Sequence, residues 1–340
     1  YCRLKVKYYA VNHSPAPRIF SVAPMIDVSD RHARTLWRLL SRHALLYTEM
    51  ITTGALLHGD VAKHLDYDAS EHPVALQLGG SDPQAMARCA KLGEDWGYDE
   101  ININVGCPSD RVQSGAFGAC LMAKPHLVAE CVSAMRAAVR IPVTVKTRIG
   151  IDHSAPEFLD DFIRTVNSAG CDTFILHARQ AWLQGLSPKE NRDIPPLDYT
   201  RALQIKQDFP QLSLHLNGGL DLNRAEAHIS HFDGVMLGRA IQDNPYLLAQ
   251  VDALFYGDTT PALTRIDAVH AYLGYAQAQH AAGERLTSLV KPLFNLFHGQ
   301  HNGKRWRHAL TVGLIDKTDK RAGLNFVQQA LTLISETSPL

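Results

Sequence analysis

The residues best suited to chemistry lie at the ends of alternating apolar runs. In EININVGCP, starting at Glu100, one set of side chains is Ile101, Ile103 and Val105 and the other is Asn102 and Asn104. The run then ends in Gly-Cys-Pro, and small residues follow in SGAFGAC. Strand side chains alternate between faces. The same split in neighbouring runs puts Gln77, Asn104, Lys146, His177 and Asn217 on one common face, each towards the C-terminal end of its run. Any one of these could be a satisfied polar core residue. Five strands placing amides, an amine and an imidazole at the same end need a stronger reason, because unpaired buried polar groups are costly. NGG at Asn217, Gly218 and Gly219, and GR at Gly238 and Arg239, add backbone N–H groups that can approach an anion and a guanidinium that can clamp it. Together they point to a phosphate-bearing ligand. Cys107, in its turn after a strand end, stands apart from Cys89, Cys120, Cys131 and Cys171, which read as inert thiols.

Eight Val-, Ile- and Leu-rich runs must position these groups: RIFSVAPM, LLYTEM, HPVALQLGG, EININVGCP, IPVTVKTRIG, TFILHAR, LSLHLNGG and GVMLGR. Most are separated by helix-like segments. One of these, Asp82 to Gly97, opens on an acidic cap with proline at the first helical position and stops at glycine. Strand alternating with helix eight times predicts an α/β fold, a (β/α)8 TIM barrel whose functional end lies at the strand C-termini. A doubly wound sheet would want a GxGxxG turn after its first strand, and no GxG occurs. GDTTPALTR reads as a linker, and only helix-like sequence follows it. The chain therefore divides into an N-terminal extension (1–17), a catalytic barrel (18–257) and a small C-terminal helical domain (258–340).

With 340 residues, 46% hydrophobic and 20% charged at zero formal net charge, the chain reads as globular rather than disordered. The six cysteines lack CxxC or zinc-finger spacing, so neither a disulfide framework nor a metal site is expected, and a reduced, cytoplasmic setting is the simpler reading. No run of eighteen apolar residues suggests a membrane span, and a monomer is expected. Charge is uneven, however: from Arg285 to Arg321 there are eight Lys or Arg against two Asp, the footprint of a nucleic-acid partner.

The motifs SVAPMIDVSDRHAR, LLYTEMITTGAL, HPVALQLGGSDP, EININVGCPSDRVQSGAFGACLM, IPVTVKTRIGID and HARQAWLQGLSPKENRDIPPLDY, with NGG and GVMLGR, occur in this order from Arg18 to Asn244. They resemble the tRNA-dihydrouridine synthases, most closely the A type. The resemblance implies an FMN enzyme that uses NADPH to reduce uridine in the tRNA D-loop, with U20 and U20a as targets. It implies hydride delivery to C6 of uracil and a proton from Cys107 to C5. A thiol, ordinarily titrating near ~8.5, keeps its proton at neutral pH yet can yield it to a developing carbanion. FMN contacts fall by resemblance on Pro24, Met25, Gln77, Lys146, His177, Asn217, Gly218, Gly219, Gly238 and Arg239. Asn104 corresponds to the residue that holds the target uridine, and Lys189 and Arg192 in SPKENR to a tRNA-contacting loop. Without the family, SPKENR would read as a solvated charge run. In NGKRWRHAL, Lys304 and Arg307 match basic positions of a tRNA-orienting signature, although the motif reads KRWRH here.

Two other functions compete. A flavin barrel acting on a free pyrimidine or on dihydroorotate would also want Asn, Lys and Cys around a uracil-like ring, but it has no use for a basic helical tail. A catalytically idle tRNA-binding protein would not need Cys107, Lys146 and His177 together.

Overall fold

The computed structural model describes residues 19–109, 115–152, 154–155, 157–315 and 323–335. The N-terminal extension, the DRVQS segment (110–114) and the basic residues Lys317, Lys320 and Arg321 lie outside these. Eight parallel strands close on themselves in chain order: β1 (Phe20–Val22), β2 (Leu45–Thr52), β3 (Val74–Gly79), β4 (Glu100–Val105), β5 (Val143–Arg148), β6 (Thr173–His177), β7 (Ser213–Asn217) and β8 (Gly234–Leu237). Each coincides with one of the eight apolar runs, and β1 pairs with β8 to complete the ring. The fold is the expected TIM barrel.

Alternation divides every strand between two environments. Leu46, Val74, Leu76, Ile101, Ile103 and Val145 belong to the large core between sheet and helices. Ala23, Leu45, Tyr47, Ala75, Ile175 and Met236 form a separate small cluster inside the barrel. The register of β2 against β3 shifts between Tyr47 and Met50, so two residues, Thr48 and Glu49, face one on the partner strand. Such a bulge bends a strand and re-aims its side chains.

Local sequence explains the helices. In Pro83–Trp96 the Asp82 carboxylate accepts the Ala85 N–H, and Gly97 ends the helix at φ 101°, a left-handed conformation that glycine adopts without Cβ strain. The helix Arg31–Leu40 is anchored by buried cations. Arg34 Nε lies 2.5 Å from Glu71 Oε2. Arg38 donates to the carbonyls of Ser41, Ala44, Glu71 and Pro73, joining the helix to the lower ends of β2 and β3.

Segment 257–264 leads from the helix Leu248–Tyr256 to the helices Arg265–Ala281, Gly303–Ile315 and Asn325–Ser335. Trp306, on the second of these, is fully buried, packs on Phe297 and donates its indole N–H to the Leu293 carbonyl at 2.8 Å. The helical region meets the barrel through Arg31–Glu284 at 2.9 Å, His32–Tyr275 at 2.8 Å and Lys291, which donates to the Asp27 carbonyl. No described helix is long and apolar enough to cross a membrane.

Removing the Arg38 guanidinium leaves several buried carbonyls without their donor. Arg38→Met is expected to lower unfolding free energy by about 3 kcal/mol in denaturant titration. A change under about 0.5 kcal/mol, the range of ordinary surface substitutions, would contradict this account of the anchor.

Candidate active site

A cavity of about 780 Å³ opens at the C-terminal ends of the strands. Pro24, Met25, Gln77, Asn104, Cys107, Lys146, His177, Arg192, Asn217, Gly218, Gly219, Gly238 and Arg239 all line it. The alternation rule thus brings the whole inward polar set, the phosphate-type glycines and the thiol to one place. Lys189 lies on the same loop as Arg192 but not on the cavity wall. Lys304 is exposed and Arg307 half-buried on the helix Gly303–Ile315, and neither lines the cavity.

Lys146 and His177 define the electrostatics. Lys146 Nζ donates to Asn217 Oδ1 at 3.0 Å, and Asn217 Nδ2 donates to the Met236 carbonyl at 2.7 Å. Burial, reinforced by the Arg148 charge and partly opposed by Cys107, moves the Lys146 amine from the usual 10.5 down to about 7. Burial, followed by repulsion from Arg148 and Lys146, pushes His177 well below its ordinary value, so its ring is neutral. Its Nδ1 is buried without a hydrogen-bond partner. A buried, unsatisfied imidazole nitrogen at a cavity wall is a group waiting for a ligand.

At the far end, Gly218 and Gly219 both have positive φ, at 111° and 62°. A Cβ on Gly219 would lie 2.6 Å from Leu197 Cδ1, and one on Gly218 would lie 3.1 Å from the Ala178 nitrogen. The close backbone approach there requires glycine. Arg239 is not a free clamp, because its Nη1 meets Asp193 Oδ1 at 2.5 Å and its Nη2 meets the Arg192 carbonyl at 3.1 Å.

Cys107 is half-buried, and its thiol donates to Ser109 Oγ at 3.7 Å. Its turn is held from both sides. Asn104 Oδ1 accepts the N–H groups of Gly106 and Cys107 at 3.1 and 3.0 Å, while Ala119 donates to the Cys107 carbonyl at 2.9 Å. The Asn104 carboxamide therefore braces the thiol's backbone as well as facing the cavity.

Sequence reasoning passed over two participants. Arg148 sits in the inward set of β5 but was not singled out among the candidates. Its Nε donates to the Gly106 carbonyl, and its Nη1 donates to the Gln180 and Asn191 carbonyls, all at 2.9 Å. It joins the Cys107 turn to the loop that carries Lys189 and Arg192. Glu49 reaches the cavity wall from the β2 bulge, its carboxyl raised chiefly by burial. Only the register shift could have flagged it, and a sequence does not display register.

Over residues 21–334 the chain matches the protein family described as dihydrouridine synthase. The chain belongs to the dihydrouridine synthase family. It is 56% identical to the tRNA-dihydrouridine(20/20a) synthase of Shewanella oneidensis over 296 residues, 86% of this chain and 88% of that protein. The enzyme of that name from Vibrio cholerae is 54% identical over 317 residues, covering 92% and 96%. That of Escherichia coli strain K12 is 53% identical over 320 residues, covering 93% and 92%. Among solved structures, a 2-naphthoyl-CoA reductase complex superposes with a TM-score of 0.53 at 13% identity, over 68% of this chain and 49% of that one. That likeness concerns the fold alone.

In this dihydrouridine synthase the displaced Lys146 titration has a measurable consequence. Between pH 7 and 10.5 the unfolded chain binds a proton at this lysine that the folded chain has released, so the lysine's burden on stability lightens as pH rises, by at most about 1.4 kcal/mol per unit. Lys146→Met should remove that pH dependence. The ligand-free variant should be at least as stable as wild type at pH 7, with its advantage shrinking towards pH 10 in thermal unfolding. A difference between the two proteins that does not change with pH would contradict the burial argument.

Proposed function

We propose that this chain reduces the C5=C6 bond of uridine to 5,6-dihydrouridine in the tRNA D-loop, at U20 and U20a, with FMN as bound cofactor and NADPH as reductant. The observation that carries this reading is the convergence, in one cavity, of a half-buried thiol, a buried amine and a glycine-lined end. The cavity residues fit a flavin mononucleotide. Asn217, Gly218, Gly219, Gly238 and Arg239 would hold its phosphate end, with Pro24 and Met25 forming another part of the wall. Gln77 offers a carboxamide to the imide edge of the ring, and the orphaned His177 Nδ1 gains a partner. Lys146, about half protonated near neutral pH when the cavity is empty of anions, would be fully charged beside the negative reduced ring.

FMN held by these residues would supply the hydride for C6 of uracil, with NADPH as the source of its electrons. The protein must then furnish a proton at C5, and the Cys107 thiol is assigned that task as general acid. Asn104 holds the uracil and the Cys107 turn in fixed relation. The barrel, residues 18–257, acts as the catalytic domain, and the helices of 258–340 together with Lys189 and Arg192 serve as the tRNA-binding surface of a monomer. A cytoplasmic setting follows from the tRNA substrate. The basic tail favours tRNA over a free pyrimidine, which would need no such surface.

The purified protein should be yellow, and heat should release FMN. Cys107→Ala should retain flavin and its reduction by NADPH while losing roughly 10²- to 10⁴-fold in dihydrouridine formation. Wild-type product formation by this variant would remove Cys107 from the chemistry, and loss of flavin would make it structural.

Neutralising Lys304 and Arg307 together tests the tail. Flavin reduction by NADPH should be unaffected, while the log–log dependence of tRNA affinity on salt should flatten by roughly 0.7 to 0.9 per lost phosphate contact. An unchanged slope would move the contact elsewhere, to Lys189 and Arg192.

A further inference from the structure

Inside the barrel, below the cavity, the polar side chains of β3, β4 and β5 form one continuous chain of hydrogen bonds. Asn104 Oδ1 accepts the Gly106 and Cys107 N–H groups. Asn104 Nδ2 donates to Gln77 Oε1 at 2.8 Å, and Gln77 Nε2 donates to Asn102 Oδ1 at 2.8 Å. Asn102 Nδ2 donates to Thr144 Oγ1 at 2.8 Å, and Thr144 Oγ1 donates to Glu100 Oε1 at 2.6 Å. Tyr47 also donates to Glu100 Oε1, at 2.5 Å. Register explains the path. Gln77, Asn102 and Thr144 are lateral neighbours in one layer, with Asn104 one step above on β4 and Glu100 one step below.

Every donor in this chain points the same way, from the Cys107 turn down to Glu100. A carboxamide can be turned over to exchange donor and acceptor, and a hydroxyl can do both, so none of the intermediate groups fixes a direction by itself. The two ends do. Backbone N–H groups only donate, and Glu100 Oε1 accepts from two hydroxyls at once, those of Thr144 and Tyr47. Gln77, Asn102 and Glu100 are each within 1% of complete burial, so water cannot repair a reversed link.

We propose that Glu100, acting through Thr144, Asn102 and Gln77, is a positioning residue that sets the direction of every hydrogen bond up to the Cys107 turn. It thereby determines which face of the Gln77 and Asn104 carboxamides meets the ligand. The proposal rests on the assignment of Gln77, Asn104 and Cys107 to the site.

The test is a double-mutant cycle between the two ends of β4, about 13 Å apart along the strand. In Asn104→Asp the side chain still accepts from the Cys107 turn but can no longer donate to Gln77. Gln77, Asn102 and Thr144 can then be satisfied only by turning over, and Thr144 ceases to donate to Glu100. Glu100→Gln supplies an amide donor at the bottom that closes the reversed chain onto Thr144, and the Tyr47 hydroxyl, which meets the same atom, turns to accept from it. The readouts are the thermal midpoint of the flavin-free protein and the dissociation constant for FMN.

Asn104→Asp alone should lower the midpoint and weaken FMN binding by about tenfold or more, the scale of one unsatisfied buried polar group. Glu100→Gln alone, whose carbonyl oxygen can still accept from Thr144 and Tyr47, should cost less than about threefold. The double variant should recover most of the Asn104→Asp loss in the midpoint, whereas separated and uncoupled sites would simply add, while FMN binding stays weakened because the reversed chain turns the opposite atoms of Gln77 to the cavity. Additive losses in the midpoint, an Asn104→Asp protein with wild-type values, or wild-type FMN affinity in the double variant would overturn the proposal. If Asn104→Asp does not fold, folding of the double variant is the rescue, and failure of both overturns it. If wild type binds no FMN, the functional reading above fails, while the midpoints of the flavin-free proteins still decide whether the chain has a direction.

Discussion

The ammonium of Lys146 is buried where water cannot solvate it, and the mouth of the barrel is organised around that constraint. A buried cation either finds partners or gives up its proton. Here burial, followed by the nearby Arg148 charge, brings the amine down to about 7 despite its hydrogen bond to Asn217, so a large share of it is neutral near physiological pH. The same enclosure strips His177 of its charge and leaves Nδ1 unpartnered. A site in this state is electrostatically incomplete, and an anionic, hydrogen-bonding ligand would complete it. The affinity for such a ligand and the stability of the empty protein are therefore opposed through the same side chain.

Around this centre, rigidity comes from hydrogen bonds that belong to the scaffold rather than to the ligand. The Cys107 turn is fixed by the Asn104 carboxamide, by Ala119 and by the Arg148 guanidinium. Arg148 also holds the loop around Asn191, whose own carboxamide exchanges hydrogen bonds with the Trp182 backbone. The Cys107 turn and the loop that carries Lys189 and Arg192 are thus tied to one buried cation. Preorganisation of this kind places reacting groups before the substrate arrives.

Much of this was legible from residue order because a closed parallel barrel turns alternation into geometry. Gln77, Asn104, Lys146, His177 and Asn217 converge since each occupies an inward position near the end of its strand, and parity alone predicts that. The glycines after β7 were legible because a close backbone approach admits little else. Glu49 was not, since a bulge changes parity locally and register is a property of two strands rather than one. The engagement of Arg239 by Asp193, and the bracing role of Asn104, depend on contacts between distant segments that no local pattern encodes. The tail's basic residues were visible as charge, but their relation to the cavity depends on how tRNA lies across the surface.

The central claim is that this mouth performs uridine reduction in RNA, and position-resolved mapping of dihydrouridine tests it most directly. Transcribed tRNA lacking the modification would be mapped before and after incubation with the FMN-loaded protein and NADPH. The account predicts dihydrouridine at U20 and U20a of the D-loop, appearing only when NADPH is present. Unmodified tRNA alongside turnover of free uracil or dihydroorotate would contradict it.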